Sequence, residues 1–376
     1  MQRVVVTGAA GFIGSNLCVA LARRDDVELL AFDVEADEHE LAEALAACDF
    51  VYHLAGVNRP TDPGDFDHVN AGLTRHICSL LSANARHPSV VLSSSVQADL
   101  DNAYGRSKLS AEVALADWAR AGSGNVAVYR LAGVFGKWCR PSYNSVVATF
   151  CHNLAHDLPV RIDDPSAPVT LVYIDDVVTH FLALLGDPPA GYECRHVETE
   201  YQTTVGELAE LITGFRESQH AADLPDLGAR FIRRLHATYL SYLDPAELRF
   251  SLDLKRDARG ELAELLRQPN VGQVFVSRTR PGVTRGNHYH DSKVERFVVL
   301  EGKGIVRLRR LDSCDVLEYA VSGSSPEPVI IPPGYTHSIE NVGSGDMLTL
   351  FWSNEVFDAE QADTYFVPVS LDEEER

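Results

Sequence analysis

The sequence lacks any run of apolar residues long enough to cross a bilayer. A membrane-spanning helix needs about 18 or more such residues in succession, and here the apolar residues stand in short groups between polar and charged ones. The first residues, MQRVVVTGAAGFIG, lead directly into a strand pattern and lack the apolar core and small-residue cleavage site of a signal peptide. These absences predict a cytoplasmic protein that has no membrane partner.

Closely spaced cysteines are also missing. The seven cysteines are odd in number and are scattered along the chain without a neighbouring pair. Such a distribution is a poor disulfide framework and a poor zinc–thiolate site, and it favours a reducing compartment.

Positive charge is scarce. The 376 residues include 33 Lys and Arg against 54 Asp and Glu, which gives a formal net charge of −21. This balance argues against a nucleic-acid partner, because binding to phosphates needs a surplus of cations. The length and the hydrophobic share of 45% predict two or three ordinary globular domains.

The chain contains two different secondary-structure patterns. Up to about residue 185, short apolar runs alternate with helical spacing, which predicts an α/β fold with a Rossmann-type, doubly wound parallel sheet. After about residue 244, β-rich runs punctuated by Gly and Pro predict an all-β sandwich or barrel. The turn at Leu243-Asp244-Pro245 is the expected boundary, with domains of 1–244 and 245–376.

The predicted elements follow from these patterns. The strands expected in the first domain are Arg3–Val6, Glu28–Asp33, Phe50–Leu54, Val90–Ser94 and Val126–Leu131. The helices expected there are Gly14–Ala22, Glu38–Ala46, Ala71–Asn84, Arg106–Arg120 and Val205–Phe215. The strands expected in the second domain are Gly272–Arg278, Arg296–Leu300, Gly304–Arg309, Pro328–Ile331 and Met347–Trp352. The acidic segment Asp372–Arg376 is expected to be a frayed tail.

A glycine-rich stretch follows the first predicted strand and opens the first helix. It consists of Gly8, Ala9, Ala10, Gly11, Phe12, Ile13 and Gly14. Glycines at this place allow a tight turn and let the backbone approach a pyrophosphate at the helix N-terminus. Asp33 ends the second strand, where a carboxylate can bind the adenosine ribose hydroxyls and would repel a 2′-phosphate. The pattern predicts a nicotinamide dinucleotide site and favours NAD over NADP, and a helix-capping or solvated Asp33 is the alternative interpretation.

A run of serines and a Tyr/Lys pair come next. Ser93-Ser94-Ser95 ends the fourth predicted strand, and Tyr104 and Lys108 lie four residues apart on one face of the following helix. A lysine beside a phenol lowers the pKa of the phenol and makes it a competent proton donor near neutral pH. The Tyr/Lys spacing alone is more often a surface pair, but its combination with the glycine loop and the serines predicts a site of proton transfer.

Residues 1 to about 243 resemble the extended short-chain dehydrogenases/reductases. The resemblance rests on the glycine stretch, the Tyr/Lys pair, the strand end His53-Leu-Ala-Gly56 and the stretch Tyr173-Ile-Asp175-Asp176. It implies hydride transfer at a carbon of a nucleotide-linked hexose. The implied catalytic residues are Ser95 (with Ser94 as the alternative), Tyr104 and Lys108. The implied cofactor contacts are Gly8, Gly11, Phe12, Ile13 and Gly14 of the glycine stretch, and Asp33, Leu54, Ala55, Gly56, Tyr104 and Lys108.

The second domain contains residue types that bind metals. The residues are His288, His290, Glu295 and His337. Two histidines at positions i and i+2 of a strand point to the same face, and the glutamate arrives from the next strand. Any one of these histidines would more often be structural, but three His and one Glu suit Zn²⁺, Fe²⁺ or Mn²⁺. The segments 282–302 and 332–341 match the two motifs of the cupins, so the region from about residue 246 resembles a cupin barrel.

Nearly the whole chain resembles the CapF family of capsular polysaccharide synthesis enzymes, in which a reductase precedes a cupin. The strings that carry this resemblance are His53-Leu-Ala-Gly-Val-Asn-Arg59-Pro60, Gly136-Lys-Trp-Cys139, Tyr143-Asn-Ser-Val146, Tyr239-Leu-Ser-Tyr242 and Asp363-Thr-Tyr-Phe366. The resemblance implies that the cupin epimerises carbon 3 of a UDP-2-acetamido-2,6-dideoxy-4-hexulose. The reductase would then reduce the carbon 4 ketone with NADPH to UDP-N-acetyl-6-deoxy-L-talosamine, on the route to UDP-N-acetyl-L-fucosamine. A homodimer is implied as well.

The nicotinamide cofactor and the substrate contacts are two further questions. The family points to NADPH, whereas Asp33-Val34-Glu35 places negative charge where the extra phosphate would lie and points to NADH. A UDP-sugar needs cations for its diphosphate and an aromatic ring on which the uracil can stack. The candidate substrate contacts are Arg59, Lys137, Trp138 and Asn144.

Two alternative functions are left open. One is a reductase with a single activity, whose cupin only dimerises the protein and whose metal, held by four protein ligands, is structural. The other is a non-catalytic regulator that senses a nucleotide. The presence of both Tyr104 and Lys108 argues against the regulator, because regulators built on this scaffold typically lose one of them.

Overall fold

The computed structural model describes residues 1–370 except 61, 63 and 220, so the expected tail Asp372–Arg376 lies outside the described residues. The chain divides into two compact units. The first unit comprises Met1–Thr213 and Arg233–Asp244, and the second comprises Gly214–Ile232 and Pro245–Arg376. One junction therefore falls between Asp244 and Pro245. The segment Gly214–Ile232, which the sequence assigns to the first domain, groups with the second unit.

The first unit is built around a six-stranded parallel sheet. The strands of this unit are β1 (Gln2–Thr7), β2 (Val27–Phe32), β3 (Phe50–His53), β4 (Ser89–Ser95), β5 (Asn125–Leu131), β6 (Gly133–Phe135), β7 (Pro168–Tyr173), β8 (Tyr192–Arg195) and β9 (Tyr201–Thr204). The main sheet has the order β2-β1-β3-β4-β5-β8, and a small sheet has the order β6-β7-β9. Every pair in the main sheet is parallel.

Both faces of the main sheet are covered. Val4 and Val6 of β1 belong to one apolar cluster, and Val5 between them belongs to another. Parallel strands that are buried on both faces have continuous hydrophobic sequences, as β1 has. The predicted doubly wound parallel sheet is confirmed.

The helices of the chain are α1 (Phe12–Leu21), α2 (Glu38–Ala47), α3 (Leu73–Leu81), α4 (Ala103–Arg120), α5 (Val146–Ala155), α6 (Ile174–Ala183), α7 (Val205–Ser218) and α8 (Arg230–Leu240). A π-helical turn, Phe66–Gly72, comes directly before α3. No helix in the described part of the chain is both long enough and apolar enough to span a bilayer.

The second unit contains two antiparallel sheets. Its strands are β10 (Leu254–Asp257), β11 (Gly260–Gln268), β12 (Gly272–Thr279), β13 (Thr284–Tyr289), β14 (Glu295–Glu301), β15 (Lys303–Arg310), β16 (Val316–Ser322), β17 (Val329–Ile331), β18 (Tyr335–Asn341), β19 (Met347–Ser353) and β20 (Tyr365–Phe366). One sheet has the order β10-β11-β12-β19-β14-β17 and the other β16-β15-β18-β13-β20. Phe297 and Phe351 of the first sheet share an apolar cluster with Val306 and Ile339 of the second. The predicted all-β domain is confirmed.

The turn between β1 and α1 needs a glycine at position 8. Gly8 has a φ of +70°, which side chains of L-residues disfavour, and a Cβ there would lie 2.6 Å from the backbone nitrogen of Ala55. The first strand and the loop after β3 are therefore in backbone contact, which only a residue without a side chain permits.

We expect Gly8→Ala to destabilise the protein more than Gly122→Ala. Gly122 has a similar φ of +78° but nothing within 4 Å of the position that a Cβ would take. Its substitution should cost about 1–2 kcal/mol for the left-handed backbone alone. The Gly8 substitution adds the clash with Ala55. Urea unfolding of the full chain, followed by fluorescence, measures both, and equal losses would show that the loop at Gly8 relaxes freely.

Candidate active site and metal centre

The carboxyl edge of the main sheet brings together the predicted cofactor residues. Parallel strands end at the same edge, so the segments that follow β1 and β3 meet there. The Cβ position of Gly56 lies 3.2 Å from Lys108 Nζ, and that of Gly8 lies 2.6–2.9 Å from the backbone of Leu54 and Ala55. The loop after β3 thus lies between the glycine stretch and α4.

The start of α1 can accept an anion. Gly11 immediately precedes α1, and Phe12, Ile13 and Gly14 form its first turn. No side chain caps this end, so the first backbone N–H groups are left for another acceptor. A pyrophosphate is the acceptor that such a helix end binds in dinucleotide sites.

Asp33 lies directly after β2, at the same edge. Its carboxylate accepts hydrogen bonds from the N–H of Ala10 at 2.6 Å and from the N–H of Val34 at 2.8 Å. These bonds hold the negative charge against the glycine stretch. The residues from Val34 through Ala47 include no Lys or Arg that could offset this charge.

Ser95, Tyr104 and Lys108 lie together at the end of β4 and the start of α4. Lys108 Nζ is 5.9 Å from the centre of the Tyr104 ring and donates a hydrogen bond to the carbonyl of Ser93 at 3.1 Å. The hydroxyl of Ser95 lies close enough to the phenol of Tyr104 to lower its pKa, and it accepts a hydrogen bond from the N–H of Gln97 at 3.2 Å. The hydroxyl of Ser94 points elsewhere and donates to Glu112. Of the two serines that the sequence leaves open, Ser95 is the one beside the phenol.

The pKa values in this cluster follow from burial. Burial raises the pKa of Tyr104, and the nearby side chain of Ser95 acts in the opposite direction. Burial also lowers the pKa of Lys108 to about 8, although the carboxylate of Glu112 opposes this. The sequence predicts the opposite direction for Tyr104. Burial prevails because the ammonium group of Lys108 bonds the carbonyl of Ser93 and not the phenol.

Glu112 is a supporting residue that the sequence reasoning missed. Its side chain is 3% exposed. It accepts hydrogen bonds from Ser94 on β4 and from Arg130 on β5, whose Nε and Nη2 lie 3.0 and 2.7 Å away. Glu112 stands four residues after Lys108, on the same face of α4. That spacing is the signal that could have indicated it.

Asn70 is a second supporting residue without a signal in the sequence. Its side chain accepts from the N–H of Val57 at 2.9 Å and donates to the carbonyl of Val57 at 3.0 Å. It also donates to the hydroxyl of Ser107 on α4 at 2.9 Å. These bonds fasten the loop after β3 to the helix that carries Tyr104 and Lys108.

The predicted substrate residues lie on two loops. Arg59 is exposed in the loop after β3, and the other three lie between β6 and α5. Trp138, with a φ of +70°, and Asn144, with a φ of +60°, have left-handed backbones, a strained conformation that concentrates at functional sites. Lys137 Nζ lies 5.6 Å from the centre of the Trp138 ring and 2.5 Å from a carboxylate oxygen of Asp175. A cation and an exposed indole therefore stand side by side.

The second unit brings the four predicted metal ligands together. His288 lies on β13, His290 one residue beyond its end, Glu295 at the start of β14 and His337 on β18. One ligand atom from each residue lies within 4.8 Å of the others. Glu295 Oε2 is 3.4 Å from His290 Nε2 and 3.2 Å from His337 Nε2. The cluster joins both sheets of the unit.

The chemistry of this cluster fits a divalent cation. Nε2 of His290, Nε2 of His337 and Oε2 of Glu295 are buried without a hydrogen-bond partner, although buried polar atoms in proteins are nearly always satisfied. Burial lowers the pKa of His288 to about 4, with a further contribution from His337, and the neutral imidazole is the form that ligates metals. Burial acts to raise the pKa of Glu295, but the opposite effect of His290 and His337 is larger and lowers the pKa to about 2.

Comparisons with known proteins cover both units. Residues 4–198 match the NAD dependent epimerase/dehydratase family, and residues 255–365 match the polysaccharide biosynthesis C-terminal domain. A protein of Pseudomonas aeruginosa named UDP-2-acetamido-2,6-beta-L-arabino-hexul-4-ose reductase is 42% identical over 364 residues, which are 97% of this chain and 98% of that protein.

Solved structures resemble the chain as well. The capsular polysaccharide assembling protein CapF of Staphylococcus aureus has a TM-score of 0.91 and 41% identity, covering 97% of this chain and 100% of that one. The UDP-glucuronic acid 4-epimerase of Bacillus cereus, with a TM-score of 0.56 and 18% identity, covers 64% of this chain and 98% of its own, and shares the fold alone. The chain belongs to the NAD dependent epimerase/dehydratase family and, within it, to the CapF family, in which a polysaccharide biosynthesis C-terminal domain follows.

Proposed function

We propose that the protein reduces the carbon 4 ketone of a UDP-linked 2-acetamido-2,6-dideoxy-4-hexulose in the synthesis of a capsular or other cell-surface polysaccharide. The observation that carries this proposal is the cluster of Ser95, Tyr104 and Lys108 at the edge that holds the glycine stretch. The P. aeruginosa relative supplies the substrate class, because its name is that of a reductase of such a sugar and its similarity extends across both units.

The reduction needs a hydride at carbon 4 and a proton at the carbonyl oxygen. A nicotinamide cofactor bound at the glycine stretch supplies the hydride. Tyr104 donates the proton as the oxygen becomes an alkoxide, and the hydroxyl of Ser95 orients that oxygen. Lys108, whose pKa is about 8, is mainly charged at neutral pH. Its positive charge stabilises the phenolate that Tyr104 leaves behind.

The nucleotide part of the substrate is assigned to the two loops. Lys137 binds the diphosphate and exchanges its present partner Asp175 for it, because a phosphate carries more negative charge. The exposed ring of Trp138 stacks on the uracil. Asn144 and Arg59 are the other two proposed contacts with the substrate.

The cofactor that we propose is NADH. Asp33 holds its carboxylate beside the glycine stretch, where it can accept hydrogen bonds from the ribose hydroxyls. A 2′-phosphate in that place would meet Asp33 and the neighbouring Glu35, and the chain from Val34 through Ala47 offers no cation. This interpretation differs from the NADPH that the family resemblance implies.

The second unit is proposed to epimerise carbon 3 before the reduction. The carbon 4 ketone acidifies the proton on carbon 3, so removal of that proton from one face and its return to the other inverts the centre. A divalent cation, Zn²⁺ by the donor set, would be held by His288, His290, Glu295 and His337 and would polarise the carbonyl oxygen. The two activities together give UDP-N-acetyl-6-deoxy-L-talosamine, a precursor of UDP-N-acetyl-L-fucosamine.

Proton NMR of the UDP-4-keto sugar in D₂O separates the two activities. Without nicotinamide, we expect wild-type protein to exchange the carbon 3 proton. Tyr104→Phe should keep this exchange but lose reduction by about 10²–10⁴-fold, because the proton donor is gone. His290→Ala should lose the exchange and keep the reduction of sugar that is already epimerised. Each variant is the control for the other.

Three results contradict parts of this assignment. No exchange in folded, metal-loaded wild-type protein would leave a reductase whose metal is structural. Loss of both activities in one folded variant would overturn the division between the units. Full reduction by Tyr104→Phe would remove Tyr104 as the proton donor.

The cofactor preference is tested by binding alone, through the change in NADH and NADPH fluorescence. We expect wild-type protein to bind NADH at least about tenfold more tightly, a difference of about 1.4 kcal/mol, which repulsion of the phosphate by Asp33 readily provides. Asp33→Asn should reduce the difference between the NADH and NADPH affinities by strengthening NADPH binding. Asp25→Asn, in the turn before β2 at the opposite edge of the sheet, should leave both affinities unchanged. Equal wild-type affinities would refute the preference.

A further inference from the structure

We infer that Asp363 and the segment Ala362–Val369 around it position the metal ligand His290. We call this segment the C-terminal strap. The inference rests on the proposed metal centre and goes beyond it, because it assigns a positioning role to residues that supply no ligand atom. Four contacts along the strap carry it.

The first contact orients the His290 ring. Nδ1 of His290 donates a hydrogen bond to the main-chain carbonyl of Asp363 at a distance of 2.5 Å. A proton on Nδ1 leaves the lone pair on Nε2. Nε2 is the atom that lies 3.4 Å from Glu295 Oε2 and has no hydrogen-bond partner. The strap therefore selects the tautomer that can ligate a metal and sets the angle of the ring.

The second contact fixes the turn between His290 and Glu295. One carboxylate oxygen of Asp363 accepts from the N–H of Asp291 at 2.8 Å. The other accepts from the N–H groups of Ser292 and Lys293, each at 3.0 Å, and from the hydroxyl of Ser292 at 3.1 Å. A single side chain thus satisfies three successive backbone donors. It holds residues 291–293 of the connection between two of the four ligands.

The third contact joins the strap to the strand that carries His288. Strand β20 pairs with β13, and Phe366 lies opposite His288 in this pairing. The N–H of Val367 donates to the carbonyl of Asn287 at 2.9 Å. The strap thus lies against both histidines of the first metal-binding segment.

The fourth contact anchors the far end of the strap. Arg309 is 4% exposed and donates to the carbonyls of Val369 and Pro368, each at 2.9 Å. A buried guanidinium that is satisfied by carbonyl groups fixes this end firmly. Asp363 itself has a φ of +32°, a strained value for a residue with a side chain. The bonds on both sides of Asp363 offset this strain and fix where its carbonyl points.

Metal affinity tests the inference without any activity measurement. Zinc binding to metal-free full-length protein is measured by competition with a chromophoric chelator, and metal content by elemental analysis. We expect Asp363→Ala to weaken zinc binding about 10–100-fold, the usual effect of removing a group that orients a ligand. Asp363→Asn, which keeps one acceptor oxygen, should lie between Asp363→Ala and wild type.

A matched control lies in the same region of the chain. Asp358 accepts a hydrogen bond from the N–H of Glu360 at 2.9 Å, outside the strap. Asp358→Asn should bind zinc as wild type does. His290→Ala, which removes a ligand, sets the scale for the complete loss of the site.

Thermal unfolding distinguishes positioning from general support. A ligand that binds the folded state raises the melting temperature, and the rise grows with the logarithm of its affinity. For Asp363→Ala we expect the rise on zinc addition to shrink, while the metal-free protein melts close to metal-free wild type. An equal fall in both forms, with zinc affinity within about twofold of wild type, would overturn the positioning role. Wild-type protein that binds no zinc would overturn the metal centre and this inference together.

Discussion

The proposed reductase site depends on one buried carboxylate, that of Glu112. Moving a charge out of water is costly, and the cost is offset only when the group has good partners. Glu112 has them in the fork of Arg130 and the hydroxyl of Ser94. Because these partners stand on β5 and β4 and Glu112 on α4, the carboxylate fixes the end of β4 against the helix. Ser95, one residue further along β4, is thereby held beside Tyr104.

The second unit contains a buried carboxylate with the opposite property. Glu295 lies among histidines, yet its Oε2 and the facing Nε2 atoms of His290 and His337 have no hydrogen-bond partner. Both carboxylates are buried, but they differ in whether their oxygen atoms have hydrogen-bond partners. Glu112 has its hydrogen-bond partners within the protein, whereas Glu295 has a buried oxygen without a partner, which is what the proposed metal centre requires. This difference, more than burial itself, separates a supporting network from a binding site.

Periodicity in the sequence predicts the first five strands of the main sheet closely but misses other elements of the fold. The strand predicted at Val90–Ser94 is Ser89–Ser95 in the structure, and all seven of its residues are buried. Strands β10 and β16 were not predicted, because β10 is exposed throughout and most of β16 is exposed. Their apolar residues do not stand out from polar surroundings. The helix expected to begin at Ala71 begins at Leu73, because a π-helical turn occupies Phe66–Gly72. Such a turn has no periodic signature.

In the candidate site, the sequence predicts the residues that would contact a ligand but not the residues that support them. Residues that would touch a ligand come in short motifs, since chemistry demands fixed types at fixed spacing, and the sequence predicts all four members of the cluster that could hold a metal ion. Residues that hold those groups in place come from wherever the fold brings a partner. Asp363 meets His290 across more than 70 positions of the chain, and Arg130 on β5 meets Glu112 on α4.

The pKa of Tyr104 shows that the supporting contacts also decide the direction of a pKa shift. The sequence shows that a lysine is near the phenol, but the direction of the shift depends on where the ammonium group points and on how much water is excluded. Lys108 bonds the carbonyl of Ser93, and burial raises the phenol's pKa. Tyr104 is therefore protonated at neutral pH, as a proton donor in a reduction must be. In the proposed reduction, the charge of Lys108 would matter only once the proton has left, because it would then offset the negative charge of the phenolate in a site that excludes water.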